Sequence, residues 1–362
     1  MNNNYCVIMA GGIGSRFWPL SRKTMPKQFI DILGTGRTLI QQTYDRFSKL
    51  IPKENFLIVT NVKYHNLVAE QLPELNEEQI LLEPFRRNTA PCIAYAANKI
   101  KKKNPEANII VAPSDHIISK EEEFVRQVEN ALAFVKNNDA LVTLGIKPSR
   151  PETGYGYIQV KKKVDFNGID NLFKVKTFTE KPDAVMAEVF INTGEFFWNS
   201  GIFIWSVQSI MKAFRTHLED IAVLFEKGQK FYNTANEINF INKTYPECQS
   251  ISIDYGIMEK AQNVYVLTSD FYWSDLGTWS ALYENEEKNG EGNVIDGDNV
   301  LVYDSNNCII KVTGDKFVVI HGLDGYIVAE SNDALMVCKR EDEQQIKKFV
   351  TDVRIKKGDS LV

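Results

Sequence analysis

The sequence predicts an α/β fold: a Rossmann-like mixed, mostly parallel sheet flanked by helices, followed by a small C-terminal all-β domain. Three observations carry this. Short β-branched runs alternate with longer helical patterns over the first two-thirds of the chain, which implies crossover connections. A glycine-rich turn follows the first apolar run directly. From about Gly292, turn signals recur at intervals of about ten residues, which suggests a short β-helix or a small sandwich.

Taken in order, the strand candidates are Tyr5 to Met9, Phe56 to Thr60, Ile80 to Leu82, Asn108 to Ala112 and Ala140 to Gly145. Helical patterns fall between them at Leu39 to Leu50, Tyr64 to Leu72, Ala90 to Lys102 and Glu121 to Lys136. After Pro151 the texture shifts to glycine- and aromatic-rich hairpins, with helices expected at Asp183 to Ile191 and Val207 to Phe225. Strands and turns then continue to a charged helix over Glu341 to Val353. The expected division is a catalytic domain over residues 1–288 and a β-rich domain, β-helix-like and left-handed, with a terminal helix over 289–362.

The 362 residues, 44% hydrophobic and 25% charged, suit a globular protein with a large core. A net charge of −5 offers no basic excess to displace counterions from nucleic acid. Anionic ligands must be met by local positive charge. The five cysteines are scattered without metal-ligand spacing, and the four histidines lie far apart. Polar residues run straight into the first strand, and no apolar run reaches the roughly 18 residues of a membrane helix. A cytoplasmic protein is expected.

The most informative string is Met9-Ala-Gly-Gly-Ile-Gly-Ser-Arg-Phe-Trp-Pro-Leu-Ser-Arg22, continued by Pro26-Lys27-Gln28. Gly11, Gly12 and Gly14 allow a tight turn whose N–H groups can face a polyphosphate. Arg16 and Lys27 add positive charge beside it. No Gly-Lys-Ser/Thr closes the turn and no Gly-x-Gly-x-x-Gly is present, so neither a Walker loop nor a dinucleotide fingerprint is formed. Asp115 stands in Val111-Ala-Pro-Ser-Asp-His116, where a strand ends in a Pro-Ser turn, and Asp275 in Trp273-Ser-Asp-Leu-Gly-Thr-Trp279. Two carboxylates with substrate phosphates and waters suit magnesium; Asp275 could equally cap a helix. Glu83 follows a strand and could accept hydrogen bonds from a base, while Asn88 or Thr89 could cap the helix after it. Phe178-Thr-Glu-Lys-Pro182 ends a strand in an acid and a base, able to hold sugar hydroxyls and a sugar phosphate respectively. Asn199 opens an apolar run, and Gly201 would permit close approach.

Together these motifs, in order from Tyr5 to about Arg340, resemble the sugar-nucleotide pyrophosphorylases. The Pro-Leu-Ser-Arg, Pro-Lys-Gln and Arg87-Asn-Thr-Ala90 strings are similar to the mannose-1-phosphate guanylyltransferase branch. The resemblance implies transfer of GMP from GTP to α-D-mannose 1-phosphate, giving GDP-mannose and pyrophosphate. It implies nucleotide contacts from Ala10, Gly11, Gly12, Gly14, Ser15, Arg16, Lys27, Glu83, Asn88, Thr89 and Ser114. Tyr155, Gly156, Glu180, Lys181, Asn199 and Asp254 would meet the sugar phosphate, with Asp254 nearly as well read as a helix cap. Asp115 and Asp275 would hold Mg²⁺ or, since both suit oxygen ligands, Mn²⁺. Arg16, Lys27, Lys181 and the two aspartates would carry catalysis.

Related enzymes pack the all-β part between subunits, so a homodimer is expected. Some longer relatives carry a sugar-phosphate isomerase domain; this sequence ends at Val362, and no isomerase activity is expected. Transfer to glucose 1-phosphate, or from dTTP or UTP, is the alternative within the same chemistry. A non-catalytic GDP-mannose-binding regulator is the alternative outside it; it would not need the aspartates and Lys27 that this sequence retains.

Overall fold

Strands bury their side chains here where the sequence is apolar on both faces. The computed structural model describes residues 3–331 and 333–362. Nine strands form the main sheet: β1 (Asn4–Met9), β2 (Phe56–Asn61), β3 (Ile80–Glu83), β4 (Asn108–Pro113), β6 (Leu141–Ile146), β7 (Gly156–Lys163), β8 (Leu172–Glu180), β9 (Phe196–Ser206) and β10 (Val264–Ser269). Two-residue strands at Ile117–Ile118 (β5) and Trp273–Ser274 (β11) complete the numbering of this region. The sheet order is β3-β2-β1-β4-β9-β6-β10-β8-β7.

Strand β1 pairs in parallel with both β2 and β4, and β10 in parallel with β6. Strand β9 runs antiparallel to β4 and β6, and β7 and β8 antiparallel to each other. The parallel strands read as continuous apolar runs because helices cover both faces; all six residues of β2 and of β6 are buried. The connections run to opposite sides of β1 and β4, which is where an open α/β sheet presents a crevice at its carboxyl ends. The chain leaves β1 into Ala10-Gly11 there, and Ser114 N–H closes onto the Met9 carbonyl at 3.1 Å.

By its contacts the chain falls into two compact units. One comprises Met1–Gly11, Thr43–Ser114 and Ile118–Trp273; the other Gly12–Gln42, Asp115–Ile117 and Ser274–Val362. The first holds the main sheet and a core running from Tyr5 and Val7 through Phe203, Trp205 and Phe214 to Val266.

The second unit is built on stacked coils. Its strands are β12 (Val294–Asp296), β13 (Val300–Tyr303), β14 (Ile309–Val312), β15 (Val318–His321), β16 (Tyr326–Ser331) and β17 (Ala334–Lys339). Val294, Ile309 and Ile327 sit in parallel register on successive coils, and Val300 pairs with Val318 on a second face. This parallel stacking is a β-helix and excludes a sandwich of antiparallel sheets. Strand β17 turns back antiparallel on β16. A second core joins Phe17, Trp18, Leu276 and Trp279 to Ile309, Ile327 and Ile346.

Two expected helices differ. Val207 to Phe225 is split into Val207–His217 and Glu219–Glu226 at Leu218, which leaves helical geometry (φ −140°, ψ 55°); the second helix starts on the acidic Glu219-Asp220, which suits a helix N-terminus. The terminal helix begins as a 3₁₀ stretch, Arg340–Gln345, and becomes α-helical only over Ile346–Lys357. No helix among the described residues is long and apolar enough to cross a membrane.

Candidate active site

The glycine string folds as its residue types require. Gly14 sits at φ 65°, and a Cβ there would lie 2.4 Å from the Lys27 Cβ, so the turn and Lys27 pack against each other only because position 14 has no side chain. Gln28 Nε2 donates to the Gly12 carbonyl at 2.9 Å, and the Trp279 indole N–H donates to the Arg16 carbonyl at 2.9 Å. Phe17 packs on Trp279 with ring centroids 5.2 Å apart. The loop is therefore held from outside itself.

Lys27 is 4% exposed and its Nζ is fully engaged. It lies 2.9 Å from Asp115 Oδ2 and donates to the main-chain oxygens of Asp275 at 2.9 Å and Leu276 at 2.8 Å. One ammonium thus ties the glycine string to both aspartate-bearing segments, all within the second unit. Burial alone would raise the Asp115 carboxyl, but the Lys27 charge, with His116, outweighs it and holds the group below the usual carboxylate range. Asp275 does not cap a helix: its Oδ1 accepts from Gly277 N–H at 2.9 Å, and the Thr278 side chain caps the helix Trp279–Asn285. A Cβ on Gly277 would come within 2.7 Å of Asp275 Oδ2, so this fold-back depends on the glycine. Arg16 Nε is buried without a hydrogen-bond partner among the described residues.

Among the described residues no group of three or more His, Cys, Asp or Glu side chains could hold a metal. Two carboxylates fit a magnesium ion that takes its remaining ligands from phosphate oxygens and water. The ionised state of Asp115 fits the same demand.

The base and sugar candidates lie in the first unit. Glu83 ends β3, 6% exposed; its Oε1 accepts from the Tyr245 hydroxyl, and its carboxyl is pushed up to about 7, burial outweighing the Tyr245 bond and the nearby Arg86. Asn88, at φ 67°, accepts from Thr89 N–H, while Thr89 Oγ1 accepts from Ile253 N–H at 2.8 Å. Asn88 is the cap; Thr89 tethers another segment.

Gly156, Glu180, Lys181, Asn199 and Asp254 converge. A Cβ on Gly156 would stand 2.5 Å from Glu180 Oε2 and 3.4 Å from Asn199 Cβ. Lys181, at φ 50°, pairs with Glu180 Oε1. Asn199 Nδ2 donates to Asp254 Oδ1 at 2.9 Å, while its Oδ1 accepts from Gly201 N–H at 3.2 Å and from the Thr143 hydroxyl at 3.0 Å. Because a main-chain N–H can only donate, it fixes which way that amide points. Asp254 lies in a π-helical turn, Asp254–Met258, and is no helix cap. Burial, then the neighbouring Glu180 charge, pushes its carboxyl up to about 6. Tyr155 stacks edge-on against Trp198 and Trp273 at 5.2 and 5.0 Å. Tyr245, Thr143 and Trp279 escaped the sequence reading because each acts through a contact across long sequence separation, with no local pattern to mark it.

A family profile described as nucleotidyl transferase matches residues 5–291, and one described as MannoseP isomerase/GMP-like beta-helix domain matches residues 297–353. The chain is 37% identical over 351 residues to a mannose-1-phosphate guanylyltransferase of Escherichia coli, covering 95% of this chain and 74% of that one. It is 37% identical over 356 residues to the alginate biosynthesis protein AlgA of Pseudomonas aeruginosa, covering 96% and 71%. A crystal structure from Thermus thermophilus, described as a mannose-1-phosphate geranyltransferase, superposes with a TM-score of 0.86 at 29% identity, over 97% of this chain and 99% of that one.

Proposed function

The chain belongs to the nucleotidyl transferase family, in its mannose-1-phosphate guanylyltransferase branch, and from that premise we propose that it joins GTP and α-D-mannose 1-phosphate into GDP-mannose and pyrophosphate. The observation that carries the reading is the convergence of Asp115, Asp275 O and Leu276 O on Lys27 Nζ. It joins the string's lysine to the Asp115 carboxylate and to the main chain of the Asp275 segment.

The nucleophile is a phosphate oxygen of the sugar substrate. A phosphate monoester loses its second proton near pH 6, so no enzyme base is needed at neutral pH. The protein's work is positioning and charge neutralisation. When bound, a Mg²⁺ ion on Asp115 and Asp275 supplies Lewis-acid stabilisation of charge on the α-phosphoryl group; Mn²⁺ suits the same oxygens. Lys27 holds both aspartate segments in place and brings positive charge to the polyphosphate. Arg16 holds the β- and γ-phosphates, which leave as pyrophosphate. Lys181 anchors the attacking phosphate against repulsion between the two anions, while Glu180, Asn199 and Asp254 take the sugar hydroxyls. Glu83 reads the guanine N1–H and N2–H. The proposal requires these groups to act on one pair of substrates.

In domain terms we read residues 1–288 as the transferase part and 289–362 as the coil domain. That domain displays Leu301, Tyr303, Val319 and Phe317 to solvent, an apolar face suited to a second copy, and the enzyme is expected to run as a homodimer in sedimentation. The deciding assay is pyrophosphate release with magnesium, offering GTP, dTTP, UTP and ATP against mannose 1-phosphate and glucose 1-phosphate. Release confined mainly to GTP with mannose 1-phosphate, and abolished by EDTA, is expected. Preference for another pair would refute the specificity, and no release from folded protein would refute the enzyme.

A further inference from the structure

Glu83 does not stand alone. The Tyr245 hydroxyl, reaching across from the 3₁₀ turn Tyr245–Glu247, donates to Glu83 Oε1. Tyr245 is fully buried, its ring edge-on to Phe225 at 5.9 Å. Its turn is pinned by Arg87 Nη2, which donates to the Pro246 carbonyl at 2.7 Å. On the other side, Asn61 Nδ2 donates to the Glu83 main-chain oxygen at 3.1 Å. A Cβ on Gly11 would lie 3.3 Å from Glu83 Oε2, so that oxygen faces Gly11. The carboxylate is held at one oxygen and open at the other.

We propose that Tyr245 is a positioning residue for nucleobase selection, setting the plane and the charge of the Glu83 carboxylate through its hydroxyl; the inference rests on Glu83 being the base reader. A phenol O–H donates to Oε1 and favours the ionised carboxylate over the neutral acid. Burial drives the Tyr245 hydroxyl well above its ordinary range, so it stays a donor. An ionised carboxylate accepts from both N1–H and N2–H of guanine; a neutral one offers a donor in the wrong place. Without the hydroxyl, the buried carboxyl would take up a proton and turn more freely. Discrimination would then fall chiefly against a base lacking the 2-amino group.

The test compares kcat/KM for GTP and ITP, which differ only in that amino group, at fixed mannose 1-phosphate and neutral pH. Glu83→Gln and Tyr245→Phe are each expected to shrink the GTP-over-ITP ratio at least about tenfold, as the loss of a hydrogen bond to a charged group does. The KM for mannose 1-phosphate should stay near the wild-type value, a split that a general loss of packing would not give. If Glu83→Gln shrinks the ratio and Tyr245→Phe does not, the Tyr245 role is overturned while Glu83 stands. If Glu83→Gln leaves the ratio intact, the base reading itself fails and the inference with it. Should Tyr245→Phe not fold, the double variant with Glu83→Gln removes the stranded carboxylate and is compared with Glu83→Gln alone. Equal ratios are expected if Tyr245 acts through Glu83; unequal ratios overturn that route.

Discussion

The candidate carboxylates Asp115, in the second unit, and Glu83 and Asp254, in the first, are driven in opposite directions. In the second unit Asp115 faces Lys27 and is held below its ordinary range. In the first unit Glu83 and Asp254 are pushed up to about 7 and about 6: burial outweighs the Tyr245 bond and the Arg86 charge at the one, and burial with the Glu180 charge outweighs the Asn199 bond and Lys181 at the other. A formal charge in the next side chain compensates desolvation; a phenol or an amide does so only in part. On the proposed reading, Asp115 is thereby kept ready for a divalent cation. Glu83 and Asp254 lie close to protonation, and on the same reading substrate N–H and O–H donors complete them.

The sharpest way to break this contrast is to remove the compensating charge. Lys27→Met keeps the stem but frees Asp115 and the 275–276 carbonyls; kcat should fall by about 100-fold or more, on the scale of losing a transition-state donor. A folded variant with near-normal turnover would sink the role of Lys27. Next in size, Asp275→Asn should raise the magnesium concentration needed for half-maximal rate by about tenfold or more, read from a magnesium titration after chelator treatment. An unchanged magnesium curve would remove Asp275 from the metal. At the sugar end, Gly156→Ala places a methyl group 2.5 Å from Glu180 Oε2. The KM for mannose 1-phosphate should rise about tenfold with that for GTP little altered, and equal shifts in both would count against a sugar pocket there.

The smallest effect concerns stability. Asp254 is raised in the folded state, so between about pH 4 and 6 the native protein binds the extra proton, and stability drops as pH climbs through that window. The penalty is present in full above it. Asp254→Asn should accordingly stabilise the fold at pH 8 by about 2–3 kcal/mol, a gain in Tm that fades toward pH 4. It should lower activity at the same time. Equal Tm values for the two proteins at pH 8 would show that the site compensates the charge in some other way.

Much of this was legible in the sequence because it is local. Alternating apolar runs and helical patterns locate the strands flanking Ala10 and Asp115, and the glycine string announces its turn. The Glu180-Lys181-Pro182 ending does the same for the cluster that Glu180 and Lys181 form with Gly156, Asn199 and Asp254. What escaped depends on distance. The sequence marks Lys27 for its charge alone; its ties to Asp275 O and Leu276 O come from about 250 residues away. Thr278 rather than Asp275 caps its helix because Gly277 lets the aspartate fold back. Tyr245 sits in an unremarkable Thr-Tyr-Pro-Glu segment, and only the fold places it against Glu83.

The grouping of Gly12–Gln42 with the C-terminal coils bears on how such enzymes can be recombined. Lys311, on a coil strand, donates to the Ile32 carbonyl at 2.7 Å, and the Trp18 indole N–H donates to the Leu361 carbonyl at 2.7 Å. A chimera cut at residue 288 would leave the native glycine loop resting on foreign coils. The transplantable module is discontinuous in the gene: the loop travels with the coils, and a graft that respects this should retain turnover where a simple C-terminal exchange does not.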